Sequence, residues 1–402
     1  MKYFSLLTAL CTAFSVASYA AEDSEFMESR IAQVESTLSE HSKLFERVIA
    51  QSQYDSTNTY SSDTMSSKTP SDQNVVMHSA HGCMDSGFMI QAEFLWWRAN
   101  MDMLEYVLQS NGENTILTST QASFKEPDFE YDPGVRVAIG YDFGRSNWDV
   151  KLAWTYHYTD VSDSSRGPGD SFLSQVATRF QSASDTFYNF IISSNAKADW
   201  QTRLNALDFE MGYDYFFSDR FSMRPHFGLK AAWIDMHYNA AYDTMLDGAI
   251  APGDPSIFTG SMRSHSEYWA VGPRMGFDTY LHIGWGFSLY GKFAGALIYG
   301  EYDTTSRFSF SRPPPALLGS NGILDGFPLK HNDYSRLRTM AEMAIGLEWG
   351  YCFSNDYYLG FNIGWENQYW WNQMELYFLT TDYHPRGDLT YSGLDVGLRF
   401  DF

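Results

Sequence analysis

One face of the extended segments in this sequence carries charged side chains among Gly, Ala and polar residues, and a function would use the chemistry of these charged groups. The positions between them are apolar, which is the period-two pattern of a β-strand with two different faces. If such strands close into a ring, the charged side chains meet inside it and set which ions or solutes pass. The twelve residues that we predict to line a pore are Glu93, Arg136, Lys151, Glu210, Arg224, Lys230, Arg274, Lys292, Arg338, Glu342, Glu348 and Arg399.

The same side chains have a second interpretation, in which they pair with one another and fill the interior. The number of strands decides between the two, because eight strands are just filled by side chains and sixteen leave a channel. The sequence contains ten alternating segments, the last of which ends at Phe402. Ten strands lie between the two cases, so the strand number does not decide between an open pore and a salt-bridged interior.

The connections between the segments alternate between short and long, which is typical of an outer-membrane barrel. The short ones are rich in Gly, Ser, Asn and Asp and cover residues 144–147, 218–220, 282–284 and 354–356; the long ones cover about 100–132, 160–202, 239–266, 301–335 and 371–387. We predict an all-β protein whose residues 87–402 form an antiparallel transmembrane barrel of ten strands. The count rises to twelve if the long second and fourth loops each contain a further hairpin.

Aromatic residues near the strand ends fit the same fold, because such barrels carry aromatic girdles at both membrane interfaces. The residues assigned to girdles are Trp96, Trp97, Tyr156, Tyr158, Trp233, Trp269, Tyr299 and Trp349.

The residues before the barrel divide into three parts. Residues 1–20 have the features of a cleaved secretory signal, because Lys2 precedes an apolar run too short to span a bilayer and Ser18-Tyr19-Ala20 is a small-x-small cleavage site. Residues 21–50 are predicted to form a periplasmic helix. Residues 51–86 are rich in Ser, Thr, Asn, Asp and Gln, which predicts a flexible linker.

The predicted helix carries apolar residues at alternating steps of four and three, as a coiled coil does. This seam consists of Met27, Ile31, Val34, Leu38, Phe45 and Val48, with the polar His41 among them. A single helix of this length is marginal in water. We therefore predict that it self-associates into a homotrimer; the alternative is an amphipathic helix packed against another surface.

The composition and net charge of the chain restrict the classes of fold and partner that it can have. Aromatic residues make up 17% of the chain, yet the mean hydropathy of −0.33 is that of a water-soluble protein. A barrel reconciles the two values because its lipid-facing and lumen-facing residues alternate. The formal net charge of −22 argues against a nucleic-acid partner. It fits a pore that attracts cations and equally a solvated acidic surface.

Catalytic motifs are absent from the sequence. It contains no nucleophile elbow, phosphate-binding loop, dinucleotide fingerprint or zinc-binding helix motif. Some ten-stranded outer-membrane barrels are proteases with Asp and His at the loop bases, and the residues that would fill that role here are Asp235, His237, Asp382 and His384. Because loop Asp and His residues are common and nothing pairs these four, we predict no enzyme and no cofactor.

Histidine and cysteine spacing raises two further questions. His78, His81 and Cys83 lie close together but have no fourth ligand, so we interpret the spacing as incidental and predict no metal. Cys11 leaves with the signal, and Cys83 and Cys352 remain. They can form a disulfide within or between chains, and spacing alone does not pair them.

The segment GFMIQAEFLWWRANMDMLEYV at Gly87 to Val107 resembles the opening strand of the pore-forming major outer membrane proteins of legionella and chlamydia-like bacteria. Further matching motifs are Asp132-Pro133-Gly134-Val135-Arg136-Val137, Gly140-Tyr141, Trp148-Asp149 and Trp154-Thr155-Tyr156. The resemblance covers Gly87 to Phe402 as an order of strands, and a coiled coil before the barrel is also similar to that family. It implies a porin with adhesive or protective surface roles, and it supplies no catalytic residues.

We expect a porin of the bacterial outer membrane that lets small hydrophilic solutes or ions diffuse passively, with a preference for cations. The alternative is a structural or adhesive barrel whose long loops contact a host or a neighbouring cell. The expected partners are outer-membrane lipid, a possible ligand on a host surface and the assembly machinery, which would read the aromatic terminal residue Phe402. Both ends of the chain are expected to lie in the periplasm.

Overall fold

The alternating segments form long strands, as their period-two pattern predicts. The structure, a computed structural model, describes residues 86–110, 122–166, 172–175, 192–193, 195–218, 220–245, 258–310, 325–353, 357–376 and 387–402. Within these residues the strands are β1 (Gly87–Met101), β2 (Val107–Ser110), β3 (Ala122–Lys125), β4 (Tyr131–Asp142), β5 (Trp148–Arg166), β6 (Phe172–Gln175), β7 (Ile192–Ser193), β8 (Asn195–Tyr213), β9 (Tyr215–Ser218), β10 (Phe221–Met245), β11 (Phe258–Gly284), β12 (Phe287–Phe310), β13 (Asp325–Phe353), β14 (Tyr357–Trp370) and β15 (Leu389–Asp401).

Ten of the described strands close into an antiparallel barrel, which confirms the predicted fold. Their order around the ring is β1, β4, β5, β8, β10, β11, β12, β13, β14 and β15, and β15 pairs with β1 to close it. The short β9 follows β8 and pairs with β10. The twelve-strand alternative is wrong for the described chain, because β6 and β7 of the second long connection join β2 and β3 in a separate four-stranded sheet.

The barrel has two unlike ends and a rim of uneven height. We call the end with the short connections, where β1 begins and β15 ends, the turn end, and the opposite end the loop end. Strands β10 to β13 have 25, 27, 24 and 29 residues, whereas β14, β15, β1 and β4 have 14, 13, 15 and 12. One side of the loop end is therefore a tall wall and the other side is low.

The outer face carries an apolar band bounded by aromatic side chains. Phe221 near the turn end and Trp233 are both exposed and lie twelve residues apart on β10. At about 3.3 Å per residue and a tilt near 40°, this spacing corresponds to roughly 30 Å, the hydrocarbon thickness of a bilayer. Trp233 lies opposite Trp269 on β11, and the next outward residues, Asp235 and Glu267, are charged. The band therefore ends at this pair.

Tight turns connect neighbouring strands at the turn end. Gly144–Ser146 forms a 3-10 turn that ends at Asn147 with φ of 57°. The turn predicted at residues 282–284 is wrong by two positions, because β11 continues to Gly284 and the reversal occurs at Trp285 and Gly286, with φ of 54° and 83°. A Cβ on Gly286 would lie 2.4 Å from the Gly350 carbonyl oxygen, so this turn needs glycine there.

Several predictions concern residues that the structure does not describe. The signal (1–20), the coiled-coil helix (21–50) with its apolar seam, and the linker (51–86, apart from Ser86) lie outside the described ranges. In the part of the chain that is described, no helix has the length and apolar character needed to cross a membrane. Cys352 near the turn end is disulfide-bonded. The other two cysteines, Cys11 and Cys83, fall outside the described residues.

Candidate functional site: the barrel lumen

The inner face of the barrel carries all twelve charged residues predicted from the sequence. They arrive there because inward and outward side chains alternate along every strand. Glu93 and Glu210 are almost fully buried, and the ammonium-bearing Lys230 is 1% exposed. Their position inside the barrel is observed, whereas their role in conduction stays a prediction.

Arginines tie the walls of the lumen together at mid-height. Arg224 on β10 donates from Nε to Asp149 Oδ2 on β5 at 2.7 Å, and its Nη1 lies 3.1 Å from Asp278 Oδ2 on β11. Arg274 on β11 contacts Glu210 on β8 and Glu342 on β13, each two strands away. These contacts cross the interior of the barrel as chords.

Two further pairs extend the same layer. Lys230 Nζ donates to both carboxylate oxygens of Asp208, at 2.9 and 3.0 Å, and lies 3.5 Å from Glu342 Oε2 on the far wall. Arg136 on β4 donates to Glu93 on β1 and to Glu366 on β14, in each case at 2.8 Å. Because these charges are nearly removed from water, each depends on its partners for stabilisation.

We call this set the central ion-pair network. It contains five basic residues and seven carboxylates, which leaves two negative charges in excess. Its members are Arg136, Lys151, Arg224, Lys230, Arg274, Glu93, Asp149, Asp208, Glu210, Asp278, Glu342 and Glu366.

Between the network and the turn end lies a polar chamber, which we call the turn-end chamber. Its cavity has a volume of about 100 Å³. Its lining includes Lys292, Glu348, Tyr358 and Arg399, with Arg224 where it meets the network. Tyr358 Oη donates to Glu348 Oε1 at 2.9 Å. The chamber therefore presents charges of both signs to water.

On the other side of the network, apolar and aromatic side chains fill the lumen. Trp97, Trp200 and Trp370 are fully buried there, each on an inward position of its strand. The first long connection adds Leu104 and Tyr106, which are also fully buried. We call these five residues, together with Val107, Phe129, Tyr238, Tyr242 and Tyr391, the loop-end plug.

Hydrogen bonds hold the first connection inside the barrel mouth. Tyr238 Oη donates to the Leu104 carbonyl oxygen at 3.3 Å, and Tyr242 Oη donates to the Tyr106 carbonyl oxygen at 2.6 Å. Tyr106 Oη donates to Asp163 Oδ2 at 3.1 Å and lies 2.7 Å from Ser165 Oγ. Burial raises the pKa of Tyr106 to about 12, so its hydroxyl keeps the proton that it donates.

The structure corrects the girdle assignment of one tryptophan. Trp96 is exposed on the outer face, as predicted, but Trp97 faces inward and is fully buried in the loop-end plug. Its centroid lies 5.4 Å from the Arg136 guanidinium. The parity of the strand contains this information, because Trp97 lies on the same face as Glu93 and is separated from it by Leu95.

Four carboxylates of the network were missed by the sequence prediction. They are Asp149, Asp208, Asp278 and Glu366. Each lies on the polar face of an alternating segment, so the signal that identified Glu210 and Arg224 also identifies them. Arg338, by contrast, lies inside but apart from the network, where it contacts Glu375 and Tyr302.

The remaining predicted sites lie elsewhere. Phe402 exchanges two backbone hydrogen bonds with Phe88, at 2.8 and 2.9 Å, and its role as an assembly signal stays a prediction. Asp235 and His237 lie on the outer wall rather than in the lumen, as shown by their outward parity with Trp233. Asp382, His384 and the cluster His78, His81 and Cys83 fall outside the described residues.

Three solved structures with a similar arrangement of strands are distant in sequence. The outer membrane protease OmpT from Escherichia coli is 9% identical, with 79% of this chain and 96% of that chain covered and a TM-score of 0.35. OprG from Pseudomonas aeruginosa and a major outer membrane protein from Thermus thermophilus are each 12% identical, with 79% and 99% covered and a TM-score of 0.25. At these values the likeness carries no argument about function.

Sequence comparison is more informative at the level of the family. No curated protein matches the chain. The sequence model of a family described as Legionella pneumophila major outer membrane protein precursor matches residues 80–402, which includes every described strand. The chain therefore belongs to the Legionella major outer membrane protein family, and its barrel is an outer-membrane barrel.

Proposed function

We propose that this protein is an outer-membrane channel for ions and small hydrophilic solutes, and that the conformation described here is its closed state. The observation that carries the proposal is the turn-end chamber, a charged, water-accessible space that leads to the central ion-pair network. Buried ion pairs contribute little to stability compared with apolar packing of the same volume. A barrel that needed only to be stable would therefore gain nothing from this arrangement.

Shared partners in the network supply a route for opening. Glu342 is contacted by both Lys230 and Arg274, and Arg274 also contacts Glu210. Because four of the five basic groups have more than one carboxylate within reach, partners can exchange without leaving a charge unpaired. A passing cation can take the place of a basic group during such an exchange. The excess of two carboxylates supports a preference for cations.

Single-channel conductance of the refolded protein in a planar bilayer tests the proposal. We expect small, stepwise conductance with cation preference in asymmetric salt. Arg274→Gln should raise the conductance and strengthen the cation preference, because it removes the positive charge between Glu210 and Glu342. Arg307→Gln is the matched control, since Arg307 is exposed on the outer face of β12 and should leave both properties unchanged.

A structural barrel is the second candidate, and one observation favours it. The loop-end plug fills one level of the lumen, and the central ion-pair network crosses the next level. If the wild type and Arg274→Gln both insert as folded barrels yet remain electrically silent, the channel proposal fails and the structural barrel stands. In that case the long loops are the parts left to contact a host or a neighbouring cell.

Orientation and assembly complete the proposal. The turn end would face the periplasm and the loop end the outside, because short turns lie on the periplasmic side of such barrels.

The apolar seam between Met27 and Val48 supports a homotrimer. Removal of residues 21–80 should then abolish closing events that occur in threes. Three-step closure that persists after this truncation would exclude the helix as the trimer contact.

A further inference from the structure

Two histidines and two carboxylates form a small grid on the outer wall of the barrel. Asp235 and His237 are outward neighbours on β10, and His265 and Glu267 are outward neighbours on β11. The strand register places His237 directly opposite His265 and Asp235 directly opposite Glu267. Side chains in such directly opposed positions of an antiparallel pair are in contact.

The side chains of this grid converge on one point. His265 Nε2 lies 2.9 Å from Asp235 Oδ1, and His237 Nε2 lies 3.4 Å from the same oxygen. The two imidazole rings are stacked, with centroids 4.2 Å apart and an interplanar angle of 4°. One ligand atom from each of the three residues lies within 4.8 Å of the other two. In addition, Glu267 Oε1 lies 3.5 Å from His265 Nε2.

This arrangement has the donor set of a transition-metal site. Imidazole nitrogens suit Zn²⁺, Cu²⁺ and Ni²⁺, and a carboxylate completes a three-ligand set that leaves a position for water or a fourth ligand. We propose that Asp235, His237 and His265 bind a divalent transition-metal ion such as Zn²⁺ on the outer wall of the barrel. Glu267 is placed to serve as the fourth ligand.

The position of the site along β10 and β11 determines which layer of the membrane surrounds it. Asp235 is the first outward residue beyond Trp233, and Glu267 is the first before Trp269. The site therefore lies immediately beyond the aromatic boundary of the apolar band, at the level of the lipid headgroups. A metal bound there is accessible from water and does not need to enter the lumen.

One neighbouring charge opposes metal binding. Arg203 on β8 pairs with Asp235 in the register, and its Nη1 lies 3.8 Å from Asp235 Oδ2. It competes for the carboxylate and adds a positive charge beside the site. Its removal should therefore strengthen metal binding, in the opposite direction to the removal of a ligand.

Isothermal titration calorimetry of Zn²⁺ into the full-length, untagged, refolded protein tests the proposal. We expect wild type to bind with one high-affinity site per chain that is lost on chelation. His237→Ala and His265→Ala should each weaken binding by at least about tenfold. Arg203→Gln should tighten binding by up to about fivefold, the factor expected for loss of an exposed ion pair. His331→Ala on β13 is the histidine control and should leave the affinity unchanged.

Cu²⁺ electron paramagnetic resonance gives a second readout that does not depend on heat of binding. The wild type should show two coordinated nitrogens, and each histidine variant should show one. Heat-dependent electrophoretic mobility establishes that each variant is a folded barrel. The proposal is overturned if folded wild type binds no Zn²⁺, or if both histidine variants keep wild-type affinity.

Discussion

Arg274 joins separate walls of the lumen through its ion pairs. It meets carboxylates from β8 and β13, so its guanidinium compensates charges that come from separate walls. A buried charge that loses its partner keeps its desolvation cost, and this cost is what makes such networks sensitive to single substitutions. Around Arg274, the strands of the lumen wall are therefore held together by pairing of opposite charges rather than by the packing of large side chains.

Replacing Arg274 with methionine, which retains much of the side-chain length, should destabilise the barrel by about 3–5 kcal/mol. The physical reason is that Glu210 and Glu342 would remain buried without this cation. Urea unfolding in lipid vesicles measures the change. Arg307→Met on the exposed outer face should shift stability by no more than about 0.5 kcal/mol. Equal effects from the two variants would show that the network contributes no specific compensation.

Tyr106 provides a test through pH, because its pKa is raised to about 12 by burial. The folded protein keeps this phenolic proton up to about pH 12, whereas an unfolded chain releases it near pH 10. Stability contributed by Tyr106 should thus be complete below pH 10 and fall as pH rises from 10 to 12. Intrinsic tryptophan fluorescence, to which Trp97, Trp200 and Trp370 of the loop-end plug contribute, reports the loss. Tyr106→Phe should remove this component, and an unaltered profile in that variant would assign the transition to another group.

The turn that joins two strands constrains their positions as much as the hydrogen bonds along the strands do. The hairpin between β11 and β12 reverses within Trp285 and Gly286, both at positive φ. Such a turn matches the right-handed twist of the strands that it joins, and it favours glycine where a side chain would meet neighbouring backbone. This hairpin connects two of the longest strands, so an error in it would misplace a large part of the wall.

Gly286→Ala should therefore slow folding and destabilise the barrel by roughly 1–2 kcal/mol, the cost of left-handed backbone in a residue with a Cβ. The added methyl would also lie 2.4 Å from the Gly350 carbonyl oxygen. Refolding yield and unfolding in urea are the measurements. Gly291→Ala on β12 is the control, because a Cβ there meets only the Thr279 hydroxyl, at 3.2 Å. A larger effect at Gly291 than at Gly286 would contradict the role given to this turn.

Across the whole molecule, the sequence predicts the strands and their faces but not what fills the barrel. Alternation is a local property, so it places Glu210 and Arg224 on the inside without knowledge of their partners. The burial of Leu104 and Tyr106 in the mouth depends on where the first connection folds back, and periodicity does not contain that information. The contact of His237 with His265 likewise depends on the register between β10 and β11, which only the folded hairpin defines.

The disulfide of Cys352 links the barrel to a second part of the protein, and the identity of its partner can be tested. Cys352 lies one residue before the end of β13, at the turn end. We predict that its partner is Cys83, since Cys11 belongs to the predicted signal. Peptide mapping under non-reducing conditions should yield the Cys83–Cys352 cross-link. Recovery of intact Cys352 as a free thiol from the mature protein would refute this pairing.

The uneven rim has a consequence for what approaches the cell. If the loop end faces outward, as proposed, the tall wall of β10 to β13 carries its loops farther from the membrane than the low side between β14 and β4 does. An antibody or a phage would therefore meet one flank of the protein first. A thiol introduced by Arg307→Cys on intact cells should react with a bulky reagent much faster than one introduced by Trp371→Cys, so immune pressure would fall mainly on the tall flank.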